Sequence, residues 1–284
     1  MANDAKNTIA FQGIAGAHSD LACKEAYPYM HTLACATFDD VFNSVNNGDA
    51  ALGLIPIENS NAGRVAEIHN ILPETNLSIV SEYFHKVEHQ LLAPKGATLE
   101  TINSVYSHAQ AIMQSMNNIR KLGLTEVPHS DTAAAARDVA NWNDPTKAAL
   151  ASSLAAELYG LEIIKENVQN SDKNRTLFVA ISKEPTDLDP KNEQTILTSM
   201  IFTTRNLPAG LYKALGGFAT NNINMLKLES YIPDYESGSA QFFMTFEGHP
   251  EQRNVQRALE ELGFFTKKIK HLGTYLADPM RYKT

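Results

Sequence analysis

Short β-type runs alternate with helix-type stretches along the first half of the chain, and each run ends in a polar or glycine-bearing joint. That alternation points to an α/β fold, a mostly parallel sheet with crossover helices. Thr8-Ile9-Ala10-Phe11 reads as a strand and Gly13-Ile14-Ala15-Gly16 as the turn after it; Ser19 is expected to N-cap the helix that carries Leu21, Ala22 and Ala26. Thr37 caps a second helix, whose apolar Phe38, Val41, Phe42 and Val45 recur at i, i+3, i+4 and i+7 before Gly48 stops it. The next strand, residues 50–55, ends in the polar loop PIENSNAG at 56–63, at the kind of carboxyl strand end where α/β proteins keep their ligands. Val105 and Tyr106 lead into Ser107 and His108, and Asp131-Thr132 opens an alanine-rich helix.

The pattern changes at residues 184–193, EPTDLDPKNE, a stretch of acids and prolines without apolar periodicity that reads as a linker. Beyond it, residues 196–204 are β-like, and Leu211, Ala214, Leu215 and Phe218 form a helical stripe with Pro208 near its start. Residues 225–231 and 241–246 alternate as strands. Val255, Ala258, Leu259 and Leu262 make another helical stripe, which Gly263 is expected to stop, and residues 269–272 close the set. The order βαββαβ is that of a ferredoxin-like sandwich. A length of 284 residues suits two domains, expected at 1–185 and 194–277.

The formal net charge is -8, and no cluster of Lys and Arg runs along the chain, which excludes nucleic acid as a partner. An anionic ligand would be repelled at long range and would need local donors, such as backbone amides at helix starts. The opening MANDAKNTIAF has neither the apolar core nor the cleavage site of a signal peptide, and no run is long enough to span a membrane, so a cytoplasmic protein is expected. In that reducing compartment Cys23 and Cys35 read as free thiols without a function.

Several residues have the chemistry for a site. The turn from Gly13 to Gly16 lacks the leading glycine of the dinucleotide fingerprint; it is either a turn that cradles a carboxylate or a purely structural one. His85 and His89 are four apart, a metal spacing on a helix, yet they sit in extended-looking chain with no Cys, Asp or Glu cluster beside them. His108 follows a strand, as a hydrogen-bonded structural residue or a catalyst. Thr176, in Asn174-Arg175-Thr176-Leu177-Phe178, has by pattern alone the look of an ordinary strand-edge threonine.

Taken together, FQGIAGAHS at 11–19, LIPIENSNAGRV at 54–65, YSHAQAIMQ at 106–114, DTAAAA at 131–136 and AAELYGLEIIKENV at 155–168 resemble prephenate dehydratases in order and spacing. The resemblance implies a two-lobed, periplasmic-binding-protein-like catalytic domain with the active site between its lobes, followed by an ACT regulatory domain. It implies a cofactor-free reaction, in which prephenate loses its ring hydroxyl and ring carboxylate together to give phenylpyruvate, carbon dioxide and water. It assigns catalysis to Thr176, the threonine of an Asn-x-Thr-Arg-Phe signature, and substrate binding to Asn174 and Phe178 from the same signature. Gly13, Ser19, Asn59, Ser60, Gly63, Ser107 and Thr132 match motifs that line the cleft. The signature arginine is Leu177 here; strand alternation puts Leu177 and Arg175 on one face, opposite Thr176.

In the ACT domain the resemblance implies an L-phenylalanine effector site. Asn206, Ala209, Gly210 and Leu211 match the effector loop, with its Gly-Ala order exchanged. Glu229 and Ser230 keep half of a Glu-Ser-Arg-Pro motif whose other half is Tyr231 and Ile232. Pairing of such domains between subunits implies a homodimer or homotetramer. Two other functions fit the same residues: an arogenate dehydratase, and a catalytically silent phenylalanine sensor, for which Leu177 argues.

Overall fold

The computed structural model describes residues 5–231 and 240–283; Ile232 lies outside them. After a short 3-10 turn, the elements are β1 (Thr8–Gln12), α1 (His18–Ala26), β2 (His31–Cys35), α2 (Phe38–Asn47), β3 (Leu52–Asn59), β4 (Gly63–Arg64), α3 (Ala66–Ile71) and β5 (Ser78–Lys86). There follow β6 (Gln90–Ala93), β7 (Ser104–His108), α4 (Ala109–Lys121), β8 (Thr125–His129), α5 (Thr132–Trp142), β9 (Lys147–Ala151), α6 (Ser153–Tyr159), β10 (Glu162–Lys165) and β11 (Arg175–Ser182). The last set is β12 (Ile196–Thr204), α7 (Gly210–Thr220), β13 (Met225–Tyr231), β14 (Gln241–Glu247), α8 (Arg253–Phe265) and β15 (Thr266–Leu276). Two compact units result. Residues up to Arg64 with His85–Phe178 form the first, and Val65–Phe84 with the chain from Val179 onward form the second. The chain passes between units inside β5 and β11.

The first unit holds two sheets. In one, β2-β1-β3-β11 lie side by side, with β1 parallel to both β2 and β3 and with β4 folded back antiparallel on β3. Thr37 caps α2 in a full capping box with Asp40, and Gly48 ends it in the left-handed conformation, as expected. Ser19 does not cap α1. The N-cap is Ala17, two residues earlier, and Asp20 reaches back to accept from the Gly16 N–H at 2.8 Å. The run expected to end at residue 55 continues to Asn59, because buried Ile57 prolongs the inward alternation of Ile55. Pro56 is tolerated there because the ladder to β1 has already ended at Leu54.

The second sheet of this unit has the order β10-β6-β9-β7-β8. In β9, Ala148 and Leu150 face one core with Leu91, Val105, Ile112 and Ile119, while Ala149 and Ala151 face another with Ala135, Ala136, Val139 and Ala155. Period-two alternation thus feeds α4 on one face and α5 and α6 on the other. The alanines keep α5 and α6 close to the strands. Asp131 caps α5 by accepting from the Ala133 and Ala134 N–H groups at 2.8 and 3.0 Å.

The second unit is built on the antiparallel order β13-β14-β12-β15, the βαββαβ sandwich expected from sequence. Met200, Phe202, Phe242, Met244 and Phe246 meet Ala214, Phe218, Val255, Ala258 and Leu262 from α7 and α8. Gly263 does not end α8; Leu262 is buried and Phe265 packs on the same core, so packing carries the helix past the glycine. The 65–84 segment belongs to this unit. His69 of α3 packs edge-on against Phe243 at 5.6 Å, and fully buried Glu82 binds Arg281 through contacts of 2.7 and 2.5 Å. Truncation after the linker would leave Glu82 without its guanidinium, at a cost of about 3–5 kcal/mol.

Two backbone positions make this packing testable. A Cβ on Gly273 would overlap the backbone of Ile79, so Gly273→Ala is expected to lower stability by about 3 kcal/mol or more in urea unfolding. Ala209, just before α7, has a φ of 58° where glycine is at ease, so Ala209→Gly is expected to raise stability by about 1 kcal/mol in the same assay.

Candidate active site

All of the residues described below lie in the first unit. At the end of β3, the Asn59 side-chain oxygen accepts from the N–H groups of Asn61 and Ala62, both at 3.0 Å. This Asx-type turn settles which way the amide points. Its Nδ2 therefore faces β11, where it donates to Asn174 Oδ1 at 2.8 Å and to Thr176 Oγ1 at 2.9 Å. Ser60 clamps the same junction: its N–H donates to the Arg175 carbonyl at 2.9 Å, and its Oγ accepts from the Arg175 N–H at 3.0 Å.

Because an amide N–H can only donate, Thr176 Oγ1 is the acceptor in that contact, and its own proton is free to point elsewhere. The donation holds the half-buried Thr176 hydroxyl in one orientation, with one of its lone pairs occupied. Asn174, buried between the two sheets' elements, passes the order on: its Nδ2 donates to Gln114 Oε1 of α4 at 3.0 Å. Gln114 also receives His89 Nε2 at 3.1 Å.

His85 and His89 do not share a helix face. His85 is the penultimate residue of β5 and His89 lies in the connection to β6, so extended chain carries both, as the sequence indicated. Between them sits His18, with Nδ1 3.1 Å from His85 Nε2 and Nε2 3.4 Å from His89 Nδ1. Burial, then the charges of His89 and His85, hold the His18 imidazole well below the usual histidine range. Burial also lowers His89, against the pull of Gln114. Among the described residues, no group of His, Cys, Asp and Glu is arranged to hold a metal ion.

The other residues singled out in the sequence are dispersed around this network. Gly13 leaves β1 at a φ of 128° with its N–H on the Cys35 carbonyl, and Ser19 sits in the first turn of α1. The Gly16 N–H ahead of α1 is taken by Asp20, and the Ala133 and Ala134 N–H groups in the first turn of α5 are taken by Asp131. Gly63 is exposed at a φ of 79°, and Thr132 is the half-buried first residue of α5. Ser107 is fully buried and donates to the Leu150 carbonyl at 2.6 Å; it is tied to the neighbouring strand rather than to Thr176. Phe178 is buried against the edge of His85, with ring centroids 6.3 Å apart. His108 caps α4 by accepting from the Gln110 N–H. Burial raises both cysteine thiols, so neither is a ready nucleophile. Leu177 is buried in β11. Gln114 and His18 were not singled out. The i, i+4 pair of amides Gln114 and Asn118 beside the buried stripe of α4 is the signal that could have marked Gln114.

The family model described as prephenate dehydratase matches residues 9–186. A protein of Komagataeibacter europaeus named bifunctional N-acyl-homoserine lactone acylase/prephenate dehydratase is 46% identical over 97% of this chain and 98% of its own length. The chloroplastic arogenate dehydratase/prephenate dehydratase 2 of Arabidopsis thaliana is 35% identical over 98% of this chain and 75% of its own. Among solved structures, the prephenate dehydratase of Arthrobacter aurescens in complex with L-Phe has the same fold, with a TM-score of 0.85 at 24% identity, covering 98% of this chain and 92% of that one. The chain belongs to the prephenate dehydratase family, lyases that act on prephenate.

Proposed function

We propose that this protein converts prephenate to phenylpyruvate, with Thr176 protonating the departing hydroxyl. The observation that carries the reading is the Asn59 donation into Thr176 Oγ1, which leaves the threonine proton available to another partner. Loss of carbon dioxide leaves its electron pair in the ring, and the pair expels the hydroxyl; one proton per turnover then completes the water. Asn59, Ser60 and Asn174 hold Thr176 in place, and Gly13, Ser19, Gly63, Thr132 and Phe178 are assigned to the surrounding substrate site. Ser107 supports the adjoining strand. Residues 1–185 are the proposed catalytic domain and residues 194–277 the ACT domain, with 65–84 bracing the latter.

The experiment is direct. Purified protein is mixed with prephenate and, separately, with arogenate, while phenylpyruvate and phenylalanine are followed. Turnover of arogenate alone would replace the first reading with arogenate dehydratase; no product from either would leave the silent sensor. A second reading, hydrolysis of N-acyl-homoserine lactones, is favoured by the 46% identity to a relative whose name carries both activities. Thr176 suits it less well as a nucleophile, since its hydroxyl meets a donor and not a base. Adding such a lactone to the same preparation decides the matter.

Regulation is assigned to the second unit. Asn206 and Ala209 are exposed at the start of α7, with Gly210 and Leu211 following, and Glu229 is paired with Lys227 at 3.0 Å while Ser230 is exposed. Free L-phenylalanine would place its carboxylate at the α7 start and its ammonium at Glu229, displacing Lys227. The face of the sheet away from α7 and α8 already carries α3, so subunit pairing is assigned to the remaining surface, where Tyr212 and Leu228 are exposed. Dimers or tetramers follow from such pairing.

Thr176→Ala is expected to lower kcat by about 10²- to 10⁴-fold without loss of folding, with Thr176→Ser recovering most of it; Asn59→Asp, which turns the donor into an acceptor for the threonine proton, is expected to cost at least about tenfold. Wild-type turnover in Thr176→Ala would remove the residue from the mechanism. Restoring the signature arginine by Leu177→Arg places a charge at a buried position and is expected to lower stability by about 3 kcal/mol or more, read by urea unfolding. Isothermal calorimetry of the full-length protein with L-phenylalanine should give a binding heat that coincides with slower turnover; no heat at millimolar ligand would end the regulatory half of this proposal.

A further inference from the structure

The column of three imidazoles in the first unit has a direction that can be worked out from the backbone. The N–H groups of Asn61 and Ala62 fix the Asn59 oxygen, so Asn59 donates to Asn174, and Asn174 donates to Gln114 Oε1. An amide oxygen only accepts, so His89 Nε2, 3.1 Å from it, must carry a proton. A neutral imidazole has a single N–H; His89 Nδ1 then accepts from His18 Nε2, and His18 Nδ1 accepts from His85 Nε2. The column ends at Glu25, whose Oε2 lies 2.7 Å from His85 Nδ1, and two acceptors cannot sit that close without a proton between them. Each ring nitrogen of His18 and His89, and Nε2 of His85, therefore has one assigned role.

We propose that Glu25, His85, His18 and His89 are positioning residues for the elimination: the column holds the Gln114 carbonyl toward Asn174, and so keeps Asn59 donating into Thr176. The inference rests on the dehydratase reading of Thr176. Gln114 Oε1 has two lone pairs, filled by Asn174 and His89, so its side chain cannot turn over without exchanging an N–H for an oxygen at both contacts. Loss of the His89 donor frees Gln114 to rotate, and Asn174 and Asn59 lose their common reference.

A second proton on His18 or His89 would turn an accepting Nδ1 into a donor facing another N–H, and so break the line. Their depressed basicity keeps both neutral near neutral pH. In the unfolded chain they take up protons first as the pH falls, so the stability that the neutral column contributes is present above the usual histidine range and is lost as the pH falls through it. The charged groups next to these residues in the chain or around Lys86 are Asp20 on α1, Lys86 and Glu88 flanking the two histidines, Asp172, and Arg175 at the start of β11. Asp20 holds the Gly16 N–H, Lys86 pairs with Glu88 at 2.5 Å, and Asp172 accepts from Gln169. Glu25 is the carboxylate that meets a ring.

The test combines ring tautomers with kinetics on the full-length protein. Long-range 1H–15N spectra at neutral pH should show His18 and His89 as Nε2–H tautomers and a proton on His85 Nε2. His89→Leu should lower kcat for prephenate about tenfold with KM within about twofold, and His89→Gln, which keeps a donor at the Nε2 position, should recover most of it. Glu25→Gln removes a negative charge beside the column, so the acid limb of kcat should move to lower pH by roughly half a unit. An Nδ1–H tautomer at His18 or His89, or wild-type kcat in a folded His89→Leu, overturns the proposal. The spectra need no turnover, so a failure of the dehydratase reading and a failure of the column are told apart.

Discussion

Two backbone N–H groups, those of Asn61 and Ala62, set the polarity of everything around Thr176. A side-chain amide is symmetric in shape and opposite in chemistry at its two ends, so a buried amide network needs an external reference to have one hydrogen-bonding pattern. The polar turn after β3 supplies it. From there the order runs through Asn174 to Gln114 and into Thr176 Oγ1, which accepts and so keeps its own proton for another partner. The column from His89 to Glu25 extends the same order to the surface, where the Glu25 side chain is 38% exposed.

The frame that holds this network is made of small residues and shared strands. Ala148 to Ala151 fill two cores at once in β9, and the alanines of α5 and α6 let helices close on the sheet without large side chains between them. Gly16 is held on the start of α6, since a Cβ there would stand 3.1 Å from Ala155 Cα, and its carbonyl accepts from Ser152 at 2.6 Å. That contact ties the loop ahead of His18 to the second sheet. The position of the imidazole column thus depends on close packing, in which a single methyl is felt.

Much of the fold was legible in the chain. Thr37, Gly48 and Asp131 mark helix ends because capping is a local interaction between neighbours in sequence. The βαββαβ order of the second unit followed from periodicity alone. Where the reading failed, a long-range contact overrode a local signal: Gly263 lies inside α8 because Leu262 and Phe265 are held by the core, and β3 runs through Pro56 because Ile57 is buried. Ser19 lies inside α1 rather than at its cap, because the helix starts behind Ala17 without a side-chain cap. The attachment of residues 65–84 to the second unit had no local signal, since it rests on contacts such as Glu82 with Arg281, 199 residues apart.

The sequence by itself determined the alternation of elements, the polar loop after β3 and, through the ordered motifs, the family and the threonine to examine. Pattern could not show that Thr176 receives a hydrogen bond, because its donor lies 117 residues away. His18, His85 and His89 had no common sequence signature either, being brought together from α1, the end of β5 and the following connection. Only the tertiary structure decided which nitrogen faces which acceptor. Hydrogen-bond direction depends on the exact neighbours of each atom in space, and a sequence records only the neighbours along the chain.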